Sequence, residues 1–318
     1  MTGIEQALTS LVEDETSGDP MSRTKWVRSS LRHLRQALEQ GGYKVGRMTI
    51  RRLLKKQDYS LKANRKEHTG PPHPDRDRQF RYIRRVKQVF QAAGHPVISI
   101  DTKKKELIGN FKNPGQTWCR DAEEVNVHDF RHDAVGRAAP YGIYDLTHNE
   151  GLVVVGTSAD TSEFAVDAIC LWWEDEERPS FADESKLLIL ADAGGSNGYR
   201  PRLWKKQLQA QLADRLGIEV MVCHYPTGAS KWNPIEHRLF SYISINWAGK
   251  PLRSFQTMLR LIRGTTTDAG LQVKALLLDR VYETGIKVSD KEIDALNLQR
   301  RSVCPNWNYV IRPREAFL

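Results

Sequence analysis

Residues 186–195 read KLLILADAGG. An apolar run this short, unbroken from Leu187 to Ala191, is too brief for a membrane span. It reads as a strand covered on both faces. Strands of that kind belong to sheets with helices on either side, whose ligand sites lie off the strands' carboxyl ends. This run ends in Asp192. A carboxylate there stays charged only if hydrogen bonds or a cation accompany it, and an Asx turn into the next helix is the plainer alternative. The AGGSNG that follows leaves room above the strand end but lacks the lysine and serine pattern of a phosphate loop.

Outward from this strand the order of elements can be followed. HPVISID (95–101) is a short β-branched strand that also ends in an acid, Asp101. PYGIYDL and EGLVVVGTS read as a hairpin around THNEG. DTSEFAVDAICLWWEDEE (160–177) is an amphipathic helix that Thr161 or Ser162 can cap. SNGYRPRLWKKQLQAQLADRLG (196–217) is a helix closed by Gly217, and IEVMVCHYP (218–226) is a fifth strand. Pro234 then opens a helix with Asn233 as its N-cap and Glu236 in its first turn. Three strands followed by α-β-α-β-α is the succession of a ribonuclease H-like fold, an α/β arrangement with a mixed five-stranded sheet flanked by helices.

The chain of 318 residues carries 48 Lys and Arg against 39 Asp and Glu, a net charge of +9. That balance favours a polyanionic partner, nucleic acid first. The excess concentrates in runs such as RSSLRHLRQ and RRLLKKQ. Residues 24–41 read as a helix with Trp26, Val27, Leu31, Leu34 and Leu38 on one face. GGYKVG is a turn, and RMTIRRLLKKQDYS a second helix, with Ile50, Leu53 and Leu54 inward and Arg51, Arg52, Lys55 and Lys56 outward. This is the helix-turn-helix pattern. The expected organisation is a helical DNA-binding region over 1–65, a linker and connecting helix over 66–94, and the sheet domain with a C-terminal extension over 95–318. Four widely spaced cysteines, Cys119, Cys170, Cys223 and Cys304, form no zinc-ribbon pair and suit a reducing cytoplasm. No signal peptide or membrane-length apolar run is present, so a cytoplasmic protein is expected.

Asp101, Asp192 and Glu236 are therefore the candidate site: two strand ends and one helix start. An acid in a first helical turn is also ordinary, because free N–H groups favour negative charge there. Mg²⁺ prefers such oxygen ligands and is held by few of them plus substrate phosphates. Paired ions can activate an attacking oxygen and stabilise a leaving one at phosphorus. Nearby, Lys103, His224, Lys231 and Asn233 are candidate contacts to DNA phosphate. His224 can equally be a buried histidine, and Asn233 a helix cap. Lys103 to Lys105 can instead form a solvated edge. Ser196 and Asn197 can cap the following helix. Trp172, Trp173, Trp232 and Trp247 read as core. Asp145, Asp160 and Glu163 are spare acids, with Asp145 the closest mimic of a site residue.

Several long stretches, VISIDTKKKELIGNFKNPGQTW, PYGIYDLTHNEGLVVVGT, LLILADAGGSNGYRPRLWK, VCHYPTGASKWNPIEHRLFSYISINWAG and TGIKVSDKEIDALNL, resemble the ISAzo13-type insertion-sequence transposases. The resemblance runs from about residue 20 to 311. It implies a DDE transposase with Asp101, Asp192 and Glu236 as its triad. It also implies Mg²⁺ as cofactor, with Mn²⁺ able to substitute, and double-stranded DNA as substrate, both element ends and target. Joining two ends is consistent with a homodimer or larger assembly on DNA. A nuclease of the same fold without strand transfer, and an inactive DNA-binding remnant, are the alternatives. Members of that family carry more chain before the basic region, so recognition of element ends is expected to be incomplete here.

Overall fold

The computed structural model describes residues 2–14, 16–18, 25–27, 30–60, 73–175 and 185–314. The chain divides into two compact units, Met1–Thr69 and Gly70–Leu318.

The first unit holds α1 (Thr2–Asp14), a two-stranded ladder of β1 (Thr16–Gly18) and β2 (Lys25–Val27), α2 (Leu31–Gln40) and α3 (Arg47–Lys56). Leu8 and Val12 of α1, Leu34 and Leu38 of α2, and Ile50 and Leu53 of α3 close one small core. Each pair sits three or four residues apart, which puts both members on one helical face. The expected helix from residue 24 is corrected: α2 begins at Leu31, after Ser30 caps it by accepting the His33 N–H at 3.2 Å. Lys25–Val27 pairs with Thr16–Gly18 instead, in keeping with the strand preference of Trp and Val. Arg51, Arg52, Lys55 and Lys56 are exposed on α3 as expected, and Lys56 is tied to Glu5 at 2.9 Å. Residues 61–72, most of the expected linker, lie outside the described residues.

The second unit begins with α4 (Arg76–Ala92), β3 (Val97–Thr102), β4 (Glu106–Ile108), β5 (Gly136–Asp145) and β6 (Glu150–Gly156). It continues with α5 (Ser162–Trp173), β7 (Lys186–Ala191), α6 (Arg202–Gln207), β8 (Glu219–His224) and α7 (Ser241–Asn246), and ends with α8 (Phe255–Arg263), β9 (Gln272–Leu278), α9 (Asp290–Asp294), β10 (Leu298–Arg300) and β11 (Asn308–Ile311). The sheet order β10-β11-β8-β7-β3-β5-β6-β9 contains the five expected strands side by side. β5 is antiparallel to β3 and to β6, while β3, β7 and β8 run parallel. That is the ribonuclease H-like arrangement. The sequence reading missed β4, the added edges β9 and β10–β11, and the helices of the C-terminal extension.

Alternation of side chains explains the apolar runs. On β7, Leu187, Ile189 and Ala191 face α5 and the helix after Asp192, whereas Leu188 and Leu190 face α4. Both faces are covered, so no polar residue interrupts the strand. The half of the sheet formed by β5 and β6 packs instead against the helix carrying Glu236 and against α8, through Val153, Val155, Leu239, Phe240 and Met258. That helix lies unusually close to β5. A Cβ added at Gly142 would meet Phe240 at 2.5 Å and Ile235 at 2.8 Å. Gly142 is also the cross-strand partner of Asp101. The missing side chain therefore sets the approach of the Glu236 helix to the strand bearing Asp101.

Gly142→Val is expected to destabilise the second unit by on the order of 1–3 kcal/mol through overpacking, read as a lower urea midpoint. An unchanged midpoint would show that the helix approaches β5 for another reason.

Candidate active site

Parallel register brings the acids together. Ile100 pairs with Ala191, so Asp101 and Asp192 follow one another across neighbouring strand ends. Ala191 pairs in turn with His224, which closes β8. From there the chain passes through a turn at Ser230–Trp232 and enters the helix bearing Glu236. That helix opens at Pro234 and widens into π-type turns over Glu236–Phe240 before continuing as α7. Wide turns of this kind recur at functional sites, because they shift a side chain off the regular α-helical spacing.

Asn233 holds the three parts in place. Its side chain is fully buried. Its Nδ2 donates to the Ile100 carbonyl and to Asp192 Oδ1, both at 3.1 Å. Its Oδ1 accepts from the Ser99 hydroxyl, which in turn accepts the Ile235 N–H at 3.0 Å. The Glu236 N–H is bonded to the Asn233 carbonyl at 3.1 Å. One amide thus connects the Asp101 strand, the Asp192 carboxylate and the start of the Glu236 helix. Asn233 is no DNA contact, and its side chain does not cap the helix; both expectations are corrected by its burial and its inward bonds.

His224 takes the buried reading offered for it and not the phosphate contact. It is fully buried, with Nδ1 at 2.8 Å from the Asp192 carbonyl and Nε2 at 3.2 Å from the Tyr309 hydroxyl. Trp204 Nε1 donates to that hydroxyl at 2.9 Å, leaving the Tyr309 proton for His224 Nε2. This network assigns the proton on His224 to Nδ1. Burial lowers its pKa to about 4, so the ring is neutral at pH 7 and anchors the backbone of Asp192. Neither residue can meet a phosphate.

The carboxylates repel each other in a dry setting. Burial, then the charge of Asp192 and more weakly those of Glu236 and Asp160, push Asp101 up to about 8, against a 2.7 Å bond from the Thr102 N–H. Burial also raises Asp192 to about 6; the Asn233 bond opposes this and the Glu236 charge adds to it. Among the described residues no three His, Cys, Asp or Glu side chains close into a ready cation cage. The donor chemistry nevertheless fits a hard divalent ion: acidic oxygens, half-buried. Lys103 lies beside them, with Nζ at 2.8 Å from Ser244 Oγ and 4.9 Å from the centre of the Trp247 ring. Burial lowers its pKa, and the Glu236 charge counters that.

The remaining candidates separate. Lys231 is exposed, its ammonium 5.4 Å from the Trp232 ring centre. Trp232 is itself 53 % exposed rather than core, edge-on to Phe80, because the turn carries it past the sheet. Asp145 is fully buried at the opposite end of the sheet, where it accepts the Thr147 N–H at 2.8 Å and meets His148 at 2.9 Å. Glu163 accepts from Gln207 at 2.9 Å. Asp160 is the acid the sequence reading undervalued. It accepts from Ser196 at 2.9 Å and from Thr102 at 3.3 Å, linking the loops beside Asp192 and Asp101. Ser196 is therefore a tie to Asp160 and not a cap, since the following helix starts at Arg202 without a side-chain cap.

A family model described as "Rhodopirellula transposase DDE domain" matches residues 7–313. No curated protein sequence matches. Among solved structures, a distant likeness is found to a Mos1 transposase paired-end complex with left transposon end, at 12% identity and TM-score 0.41 over 80% of this chain and 68% of that one. A pre-cleavage Mos1 transpososome is similar at 11% identity and TM-score 0.43, covering 80% of this chain and 69% of that one. A Mos1 mariner paired end complex with Mn gives 13% identity and TM-score 0.42 over the same shares.

Asp101 and Asp192 hold more protons folded than unfolded, since both pKa values lie above the ordinary 3.8. Folding stability of the cation-free protein is therefore expected to fall as pH rises from about 4 through about 8. Asp101→Asn should flatten that slope and stabilise the protein by on the order of 1–3 kcal/mol at pH 8. Melting temperatures across pH check this; a variant that melts lower than wild type at pH 8 would contradict it.

Proposed function

The chain belongs to the family of Rhodopirellula transposase DDE domains, and on that premise we propose that Asp101, Asp192 and Glu236 are its catalytic carboxylates. It is a transposase; the proposal concerns which groups act and on what. The observation that carries it is the bonding of Asn233, which ties the Asp101 strand and the Asp192 carboxylate to the first turn of the Glu236 helix.

The three acids would hold Mg²⁺, with Mn²⁺ able to replace it, and Asp101 feels the charges of both Asp192 and Glu236. When bound, such ions lower the pKa of an attacking oxygen and neutralise the charge on a leaving one. The chain's own residues supply the rest. Asn233 and neutral His224 fix Asp192 by its side chain and its backbone. Lys103 places a positive charge beside Glu236, and Lys231 stands exposed at the rim to meet phosphate.

The substrate is duplex DNA in the cytoplasm. Water attacks phosphorus and frees a 3′-hydroxyl; that hydroxyl then attacks a target phosphodiester and expels a new 3′-oxygen. Both are displacements at phosphorus, and neither needs a covalent enzyme intermediate. Arg51, Arg52, Lys55 and Lys56 on α3 form an exposed basic face suited to phosphate contacts that position a DNA end. Joining two ends in one event favours two copies on the DNA.

Incubation of the full chain in Mg²⁺ or Mn²⁺ with a plasmid carrying the DNA that flanks its gene tests the proposal. Nicked and joined products are expected from wild type, reduced at least about 100-fold in Asp192→Ala and Glu236→Ala. Equal products from wild type and both variants would remove these residues from catalysis. Cleavage without joined product would leave a nuclease.

A further inference from the structure

We propose that the sheet domain carries a DNA contact surface of its own, formed by Arg78, Arg81 and Arg85 of α4 together with Arg301 just after β10, which grips duplex phosphates next to the carboxylate site. This rests on the reading of DNA as substrate.

Helical spacing builds the first part. Gln79 and Ile83 are the buried residues of α4, with Phe80, Tyr82, Val86 and Phe90 packed beside them. At 100° per residue, Arg78, Arg81 and Arg85 fall together on the flank of the helix that also carries Tyr82. All three are exposed. They span about 10 Å along the axis, which allows contact with successive phosphates of one strand.

The second part comes from far along the chain. Arg301 Nε lies 3.4 Å from the Tyr82 hydroxyl, so the end of β10 borders that same flank. Arg301 is exposed, while Arg300, the partner of Tyr309, turns to the opposite face of the sheet and takes no part. Arg78 also acts electrostatically on Cys304 in the turn between β10 and β11, which brings its guanidinium to the same border.

Little negative charge offsets this group. Arg78 is 3.9 Å from Asp75, a loose and exposed pair. Among the described residues Arg81, Arg85 and Arg301 make no ion pair, whereas several other arginines of this unit do. Arg202, Arg215, Arg253, Arg280, Arg312 and Arg314 all hold carboxylates. Guanidinium groups left without carboxylates on one continuous surface repel each other, and a polyanion relieves that repulsion. Geometry ties the surface to the site. Gln79, the neighbour of Arg78, donates to the His224 carbonyl at 2.8 Å, and His224 holds the backbone of Asp192. DNA lying on Arg78 is thus one side chain and one strand end away from the carboxylates.

The contacts would be to phosphate alone, because planar guanidinium groups on a convex helix flank match phosphate oxygens and reach no base edges. Such binding has a salt signature: each neutralised phosphate contributes about 0.9 to the slope of log K against log salt.

The test is fluorescence anisotropy of the full chain with a random-sequence DNA duplex in EDTA across a salt series. Arg78→Gln/Arg81→Gln/Arg85→Gln is expected to weaken binding at least about tenfold at moderate salt and to reduce the slope by about 3. Adding Arg301→Gln to that triple variant should bring the reduction to about 4. A control with Arg260, Lys287 and Lys291, exposed basic residues elsewhere, changed to Gln should leave the slope within about 1 of wild type. Should the triple variant fold poorly by circular dichroism, Arg81→Glu/Arg85→Glu replaces it, with a still larger loss expected. A wild-type slope retained in the triple variant and in the variant with Arg301→Gln added overturns this surface and leaves the DNA reading intact. Equal losses in the control overturn it too, since the effect would then be net charge. Retained duplex binding with lost binding of a polyglutamate peptide would assign the surface to an acidic protein and overturn the proposal. No salt-dependent duplex binding by wild type overturns both the surface and the reading beneath it.

Discussion

A single buried side-chain amide organises the functional end of this molecule. Asn233 can satisfy its donors and acceptor only where Ile100, Asp192 and Ser99 converge. Buried polar groups left unpaired cost about 1–3 kcal/mol each, so the strand ends and the turn before Glu236 are locked to one another. The lock also explains why the helix that follows can begin with wide turns. Its first residues are fixed by bonds from Ile235 to Ser99 and from Glu236 to Asn233, and by the close packing of Ile235 and Phe240 over Gly142. The π-type turns over Glu236–Phe240 then lead into α7.

The same geometry works against stability. Two carboxylates at adjacent strand ends, with Glu236 and Asp160 nearby, are kept partly dry and mutually repelling. The rest of the second unit offsets this with a sheet buried on both faces, where Trp172, Trp204, Tyr141 and Tyr309 are among the largest enclosed side chains. Tyr141 makes the tension visible. Its hydroxyl is buried without a hydrogen-bond partner, and burial together with the charges of Asp101 and Asp160 raises its pKa. Strain of this sort concentrates at functional sites, where the chain trades local comfort for a prepared environment.

What could be read from sequence follows from these forces. The central strands were legible because covering both faces demands unbroken apolar runs, and each run of interest ended in an acid. Thr161 was legible as a cap, and it does accept the Phe164 N–H. The edges were not: β10 reads LQR, short and polar, and takes its place only by pairing with β11. Lys25–Val27 looked helical because Trp26 and Val27 extended the spacing of α2 backwards, yet the Ser30 cap ends that helix sooner. His224 and Asn233 were placed near the site correctly in space; the buried alternative holds for His224, while neither task given to Asn233 does. Sequence cannot tell a buried donor from an exposed one when both stand beside a turn. Ser99 held the one available hint, as the lone hydroxyl inside VISI. The neighbourhood of Arg301 and Tyr82, distant in the chain, had no local signal at all.

Asp101, Asp192 and Glu236 are proposed to form one divalent-cation site, and isothermal titration of Mn²⁺ into the full chain, without DNA, reads its occupancy. A saturable heat is expected at pH 7.5 that disappears in Asp101→Asn and in Asp192→Asn, while both variants remain folded by circular dichroism. A heat that survives in both variants would place the cation elsewhere and contradict the claim.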